Sequence, residues 1–416
     1  MRRGACTIVS LNYLPYARTL CASYQKYNPG HDFFVLLVDR VPADIDLSRE
    51  DFQLVLVDDL AIPNFESVAF KYDILELNTA VKPTFLKELL GRGIEELIYL
   101  DPDILLCSPA DVIFEGLATH AIVVTPHCLT PNEGSPAGEA ILLYSGVFNL
   151  GFVAVSKSEE ALRFLSWWEQ RCLTLGYVDR QNGLFVDQKW IDFVPCYFDS
   201  VLILKHPGCN MAYWNLYERH LERVGDRWMV NGREPLIFYH FSGGNVDGGD
   251  TISKGYDQFD LTSRPDLREL FAGYRAQLIH NGIRDVSRHK YAFGSYSNGQ
   301  FINKLQRSLY SSNLDGFASG SPFDAQGPFY RWAARKHLHD RKESAAQHNR
   351  RTIDRTDPRV RIVNSMLRLA LRLLGADRYT VLMKYLAYIS VLRNQKDIFV
   401  EAPLNSFEAS VQRGSE

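Results

Sequence analysis

Residues 1–110 alternate short apolar segments with helical ones, and this alternation limits the possible folds of the chain more than any other feature. The segments "ACTIVSL" (5–11), "FFVLLVD" (33–39), "FQLVLVDDL" (52–60) and "ELIYLD" (96–101) read as strands. Between them "YARTLCASYQKY" (16–27) and "AVKPTFLKELLGRG" (80–93) read as helices, and "NPGHD" (28–32) is a turn. Strands this short and this uniformly apolar are buried on both faces, which predicts an α/β fold with a mixed, mainly parallel sheet flanked by helices. Ligands of such sheets gather at the carboxyl ends of the strands. The stretch "LIYLDPDILL" ends there, with Asp101 and Asp103 one residue apart.

Two neighbouring carboxylates at the edge of a core repel each other and cost free energy unless something neutralises them. Paired oxygen donors suit a hard divalent cation, Mn2+ or Mg2+. A cation held there would bridge the two phosphates of a nucleoside-diphosphate sugar and neutralise the departing diphosphate. An Asp-x-Asp pair also closes many solvated turns, so the motif alone leaves a structural reading open. A phosphoaspartyl enzyme is disfavoured, because Leu105, inside an apolar run, stands where that class carries Thr or Val before a flexible loop.

Beyond residue 120 the pattern stays mixed. "AIVVTP" and "GVFNLGFVAVS" read as strands, and "SEEALRFLSWWEQRCLTLG" as an amphipathic helix capped by Ser156 or Ser158. The division expected is a catalytic domain over 1–275, ordered aromatic, Gly- and Ser-rich loops over 276–330, and a basic helical extension over 331–416. The net charge is -3, yet residues 331–396 hold 16 Lys and Arg against 5 Asp and Glu. Within this extension "RVRIVNSMLRLALRLLG" sets Arg361, Ser365, Arg368 and Arg372 on one helical face. That face suits either an anionic membrane surface or packing onto the catalytic domain or a second subunit. Nucleic-acid binding is disfavoured for want of interleaved aromatics and a recognisable fold. Seven cysteines without a CxxC pair argue against a zinc site or disulfide framework and suit a reducing cytoplasm. The start "MRRGACTIVSLNYLPYA" reads as a first strand and not as a signal peptide.

From about residue 5 to 245 the order of motifs resembles the GT-A glycosyltransferases, and within them the glycogenin-like and galactosyltransferase-like group called family 8. "TIVSLNYLPYARTL" is similar to that family's nucleoside-binding strand and Asn-Tyr turn. "LIYLDPDILL" is similar to its metal-binding strand, "FNLG" to its donor-sugar segment, "VDQKWIDF" to its Asp-Gln motif and "HFSG" to its His-x-x-Gly. The resemblance implies a retaining hexosyltransferase with Asp101, Asp103 and His240 as metal ligands. It makes Ser10, Asn12 and Tyr13 the lining of the nucleoside pocket, with a hydroxyl at Ser10 near where the family has Asp. Lys82 would contact the donor where the family has Arg, and Asn149 and Gly151 would accept the sugar. Asp187 would contact sugar hydroxyls, and Gln188 would lie on the face of the anomeric carbon. Gly243 closes the His-x-x-Gly motif. After it the family carries a Lys, whereas this chain has Asn245, Val246 and Asp247, and Lys254 is the candidate replacement if the Gly-rich stretch closes over the donor.

Tyr213, Trp214 and Asn215 are candidates for acceptor contact, since aromatic faces stack on sugar rings, and packing of the tryptophan in the core is the other reading. The expectation is a cytoplasmic enzyme, peripheral on the inner membrane face, that moves a hexose from a nucleotide sugar (a UDP-sugar by the resemblance) to a glycan or lipid-linked oligosaccharide in surface polysaccharide synthesis. Two other readings stand beside it: an inverting transferase with Asp187 as base, and a non-catalytic nucleotide-sugar scaffold.

Overall fold

In a computed structural model of the chain, the described residues are 1–43, 45–244, 246, 248–254, 256–286, 289–312, 317, 320–340 and 357–399. Asn245 and Asp247 lie outside them, as do 341–356 and 400–416 of the basic extension. The chain divides into two compact units, Met1–Val68 with Ile74–Phe293, and Ala69–Asp73 with Gly294–Glu416.

The first unit is built on a seven-stranded sheet. Its strands are β1 (Arg3–Val9), β2 (Asp32–Leu37), β3 (Gln53–Leu56), β4 (Glu96–Leu100), β6 (Ile122–Pro126), β7 (Phe148–Ser156) and β8 (Val201–Ile203), while β5 (Ile104–Leu106) stands outside it. Their spatial order is β8-β6-β7-β4-β1-β2-β3. All neighbours are parallel except that β7 runs against both β4 and β6. This is the mixed, mainly parallel sheet that the strand–helix alternation predicts. Helices flank it: α1 (Leu14–Tyr27), α2 (Ile74–Ala80), α3 (Lys82–Gly91), α4 (Pro136–Ser145), α5 (Glu159–Leu175) and α6 (Arg268–His280).

Leu14, Ala17, Leu20, Cys21 and Tyr24 fall on one face of α1 at spacings of three and four, and all are buried against Ala5 and Val9 of β1 and Phe33 and Val35 of β2. On α5 the buried stripe is Ala161, Phe164, Leu165, Trp168 and Cys172. Of its two expected caps Ser158 fills the role, its Oγ accepting from the Ala161 N–H at 3.2 Å. A second, small ladder pairs β5 antiparallel with β9 (Phe238–His240), in the register Ile104–His240, Leu105–Tyr239 and Leu106–Phe238. All seven cysteines are free thiols, five of them buried.

The second unit has its own aromatic core of Phe70, Tyr296, Ile302, Tyr310 and Phe329. Helices α7 (Lys304–Ser311) and α8 (Pro328–Arg335) belong to it. From α7 the Arg307 guanidinium donates to the carbonyls of Ala69, Phe70 and Tyr72 at 3.2, 2.8 and 2.6 Å. The amphipathic stretch of the extension is helical, as α9 (Pro358–Ser390), and breaks at Gly375, whose φ of 76° an L-residue rarely adopts. None of α9's residues is buried, and Ile362, Met366, Leu369 and Leu373 are exposed beside the arginines. No helix among the described residues is long and apolar enough to cross a membrane.

Candidate metal and donor site

Three backbone events bring distant residues together at the carboxyl end of β4. The chain turns at Asp101–Asp103 between β4 and β5. Strand β9 then pairs with β5, which sets His240 opposite Ile104, and the Phe241 N–H donates to the Asp103 carbonyl at 2.8 Å. Strand β7 lies on the other side of β4, and the Asp101 N–H donates to the Gly151 carbonyl at 2.7 Å.

As a result His240 Nε2 lies 3.1 Å from Asp103 Oδ1 and 3.9 Å from Asp101 Oδ2. One ligand atom from each of the three residues falls within 4.8 Å of the others. Two carboxylates and one imidazole, half-exposed and buried respectively, form a donor set that suits Mn2+ or another hard divalent cation. Burial by itself would lower the His240 pKa, but the Asp103 charge and hydrogen bond, with Asp101 behind them, reverse this and leave it raised. The ring can come this close only because residue 151 is glycine. A Cβ there would sit 2.3 Å from His240 Cε1 and 2.7 Å from Nδ1.

The imidazole is held by a chain of hydrogen bonds that runs in one direction. His240 Nδ1 pairs with Asn210 Oδ1 at 3.3 Å, and Asn210 Nδ2 donates to Asn149 Oδ1 at 3.0 Å and to Thr125 Oγ1 at 2.9 Å. Asn149 Nδ2 in turn meets His127 Nε2 at 3.3 Å, and His127 Nδ1 lies 3.2 Å from the Val147 carbonyl. This order makes His240 Nδ1 the donor and leaves Nε2, which faces Asp103, as the nitrogen a cation would take in place of a proton, as outer partners of metal-binding histidines do. It also requires a neutral His127, whose pKa burial pushes down to about 4. Trp214 packs its ring edge on both imidazoles at 5.2 Å. Asn215 is buried and donates to the carbonyls of His127 and Asn210, while Tyr213 packs against Trp214 at 5.0 Å.

Asp187 and Gln188 face the same place from the loop after Phe185. They are turned inward by Val186, a β-branched residue at φ 45°, a left-handed conformation that costs about 1–3 kcal/mol and tends to occur at functional sites. Asp187 is buried with Lys82 Nζ 2.5 Å from Oδ2, and Trp168 of α5 donates to its carbonyl at 2.9 Å. Burial raises the Asp187 pKa and the Lys82 charge offsets part of the rise. Lys82, itself buried, also donates to the Leu150 carbonyl at 2.8 Å, lies 3.9 Å from Asp101 Oδ1 and sits 4.1 Å over the Tyr99 ring. Tyr99 completes the circuit by donating to Asp101 Oδ1 at 2.7 Å. Gln188 Oε1 accepts from the Leu150 N–H at 3.0 Å, and its Nε2 donates to the Ser145 carbonyl at the end of α4 at 2.8 Å. Asn149 and Gln188 thus have their amides engaged with the protein itself.

Ser10 is buried at the end of β1, where Asn78 of α2 donates to its Oγ at 3.0 Å. Asn12 is half-buried, and Tyr13 is exposed, stacked on Tyr16 at 4.7 Å. Gly243 adopts a φ of 66°, and its carbonyl accepts from the Lys254 N–H at 2.8 Å, while the Lys254 side chain is exposed. Sequence reasoning did not single out Asn210, His127, Thr125 or Tyr99. Asn210 stands in an ordinary loop and His127 after an ordinary strand, so only the tertiary ladder gives them a role.

No family model matches this chain. It is 26% identical over 285 residues to the uncharacterized protein YfnF of Bacillus subtilis (strain 168), over 67% of this chain and 93% of that protein. It is also 26% identical over 243 residues to YfnD of the same organism, likewise uncharacterized, over 57% of this chain and 76% of the relative. Among solved structures, it is similar to the galactosyltransferase LgtC in complex with donor and acceptor sugar analogs, with a TM-score of 0.42 and 12% identity over 66% of this chain and 95% of that one. A glycosyltransferase involved in glycosylation of the major capsid of PBCV-1 matches with a TM-score of 0.36 and 10% identity over 67% of this chain and 100% of that one.

Proposed function

We propose that the chain is a GT-A glycosyltransferase of the family 8 type, which transfers a hexose from a nucleoside-diphosphate sugar to a glycan or lipid-linked hydroxyl with retention of configuration. The observation that carries this reading is the convergence of Asp101, Asp103 and His240 Nε2 at the carboxyl end of a mainly parallel sheet. A divalent cation, Mn2+ or Mg2+, would there neutralise charge on the leaving diphosphate. Asn210 Oδ1 pairs with His240 Nδ1, which leaves Nε2 as the nitrogen that a cation would take. Asp187 and Gln188 stand beside this cluster in fixed conformations, as groups that orient a sugar ring should. In the reaction the acceptor oxygen bonds to the anomeric carbon, the bond to the diphosphate breaks, and the acceptor proton passes to a diphosphate oxygen. The Lys82–Asp187 ion pair supports this course over an inverting one, because it keeps the carboxylate engaged and disfavours its use as a base. The uniform completeness of the cluster favours an enzyme over a scaffold. A uridine nucleotide is the donor base of this proposal, with Ser10, Asn12 and Tyr13 lining its pocket.

The acceptor side of the proposal is a surface polysaccharide or lipid-linked oligosaccharide. It rests on the exposed α9, where a row of arginines runs beside bare Ile362, Met366, Leu369 and Leu373, a pattern that fits the boundary of an anionic bilayer on its cytoplasmic face. Calorimetric titration of UDP and then GDP, with and without Mn2+, tests the central reading. The expected result is binding that needs Mn2+ and is lost in Asp103→Ala. Absence of binding of either nucleotide under any metal condition would sink it.

A further inference from the structure

Beside the Asp101–Asp103–His240 cluster lies a cleft lined by Tyr13, Tyr16, Asp103, Phe241 and, from α6, Tyr274 and Arg275. Two stacked aromatic pairs line it: Tyr13 on Tyr16 at 4.7 Å, and Phe241 on Tyr274 at 3.8 Å with the rings 9° apart. Tyr274 is only 4% exposed, and among the described residues its hydroxyl has no hydrogen-bond partner. A phenylalanine would stack on Phe241 equally well and would spare the chain a desolvated hydroxyl, so packing does not account for this oxygen. Burial and the nearby Asp103 charge both hold the hydroxyl in its protonated form, which makes it a donor in search of an acceptor. Its neighbour Arg275 donates from Nη2 to the carbonyl of Gly249 at 3.0 Å, which ties the glycine-rich stretch after Gly243 to the cleft wall.

The charge balance of the site points the same way. Lys82 is committed to Asp187, and the Lys254 side chain is exposed. Together Asp101, Asp103 and a diphosphate carry more negative charge than one divalent cation cancels, and planar guanidinium forks match phosphate oxygens.

We propose that α6 supplies the anion-binding wall of the site, the Tyr274 hydroxyl donating to a phosphate oxygen and the Arg275 guanidinium pairing with the diphosphate of the bound nucleotide. This rests on the nucleotide-sugar reading above and adds two residues that it does not use. The test is calorimetric titration of UDP and of manganese pyrophosphate into the wild type, Tyr274→Phe, Arg275→Gln and Asp103→Ala, with thermal unfolding of each unliganded protein. Tyr274→Phe is expected to melt at the same temperature as the wild type or higher while binding both probes about tenfold more weakly, and Arg275→Gln to bind them at least tenfold more weakly. A purely structural hydroxyl would give the opposite: wild-type affinity for both probes, with or without a change in melting. That result, or wild-type pyrophosphate affinity in Arg275→Gln, overturns the proposal. If Asp103→Ala abolishes binding while the α6 variants bind normally, only this inference falls. If the wild type binds neither probe, the nucleotide-sugar reading falls and takes the α6 wall with it.

Discussion

Gly151 shows how a missing side chain makes room for a candidate metal ligand. Its backbone joins β7 to the Asp101 turn, and the space its Cβ would fill is taken by the His240 ring. Gly151→Ala should leave the sheet intact yet push the imidazole off its position, weakening Mn2+ binding about 10–100-fold by calorimetry. Wild-type affinity in that variant would mean that the ring relaxes freely. His127 adds a pH dependence whose sign follows from its burial. Its pKa falls from 6.5 unfolded to about 4 folded, so between those values the unfolded chain binds the extra proton. Its contribution to stability is whole above pH 6.5 and is lost as pH falls toward 4, by up to about 3 kcal/mol. Urea midpoints measured at pH 7 and pH 4.5 should fall less in His127→Gln than in the wild type. Sequence reading reached Asp101 and Asp103 from their spacing at a strand end, and His240 only through the family resemblance of "HFSG". It missed Asn210 and His127 because what makes them matter is a chain of amide contacts between β6, β7 and the loop before β9.

At the level of elements, the strand–helix alternation over residues 1–110 was legible because short, uniformly apolar strands have few ways to bury both faces. The ladder between β5 and β9 was not, since three residues of "LIFYHFSG" carry no sign of which distant strand they will pair with. The first part of helix α9 was legible from its periodicity, whereas its continuation to Ser390 past the break at Gly375, where a left-handed φ interrupts the helix, was not. If its exposed apolar row meets a bilayer, Leu369→Glu with Leu373→Glu should reduce sedimentation with vesicles containing anionic lipid several-fold, with Mn2+ affinity unaltered. Equal sedimentation of the wild type with neutral and anionic vesicles would count against a role for the arginines.

Across the whole molecule, the second unit draws five of its residues, Ala69–Asp73, from the middle of the first. Phe70 is fully buried within the second unit's aromatic core, and Arg307 holds the carbonyls around it. A chain ended after Phe293 would therefore strand Phe70 and those carbonyls without partners. Such a truncation should cost about 1.5–3 kcal/mol for the exposed aromatic ring alone and give protein that aggregates on heating, whereas full-length protein unfolds cooperatively. A truncated protein that melts like the intact one would refute this.

The pairing of β5 with β9 has one more consequence. Asp103 and His240 are separated by more than a hundred residues of chain and meet through a ladder only three residues long. A cation shared by them would close that long loop as a cross-link does, and reversibly. Its removal should therefore free the β9 end of the chain first, so that chelation by EDTA exposes amides of Phe238–His240 to deuterium before those of β1 and β2, with the two ends of the site unzipping while the sheet still stands.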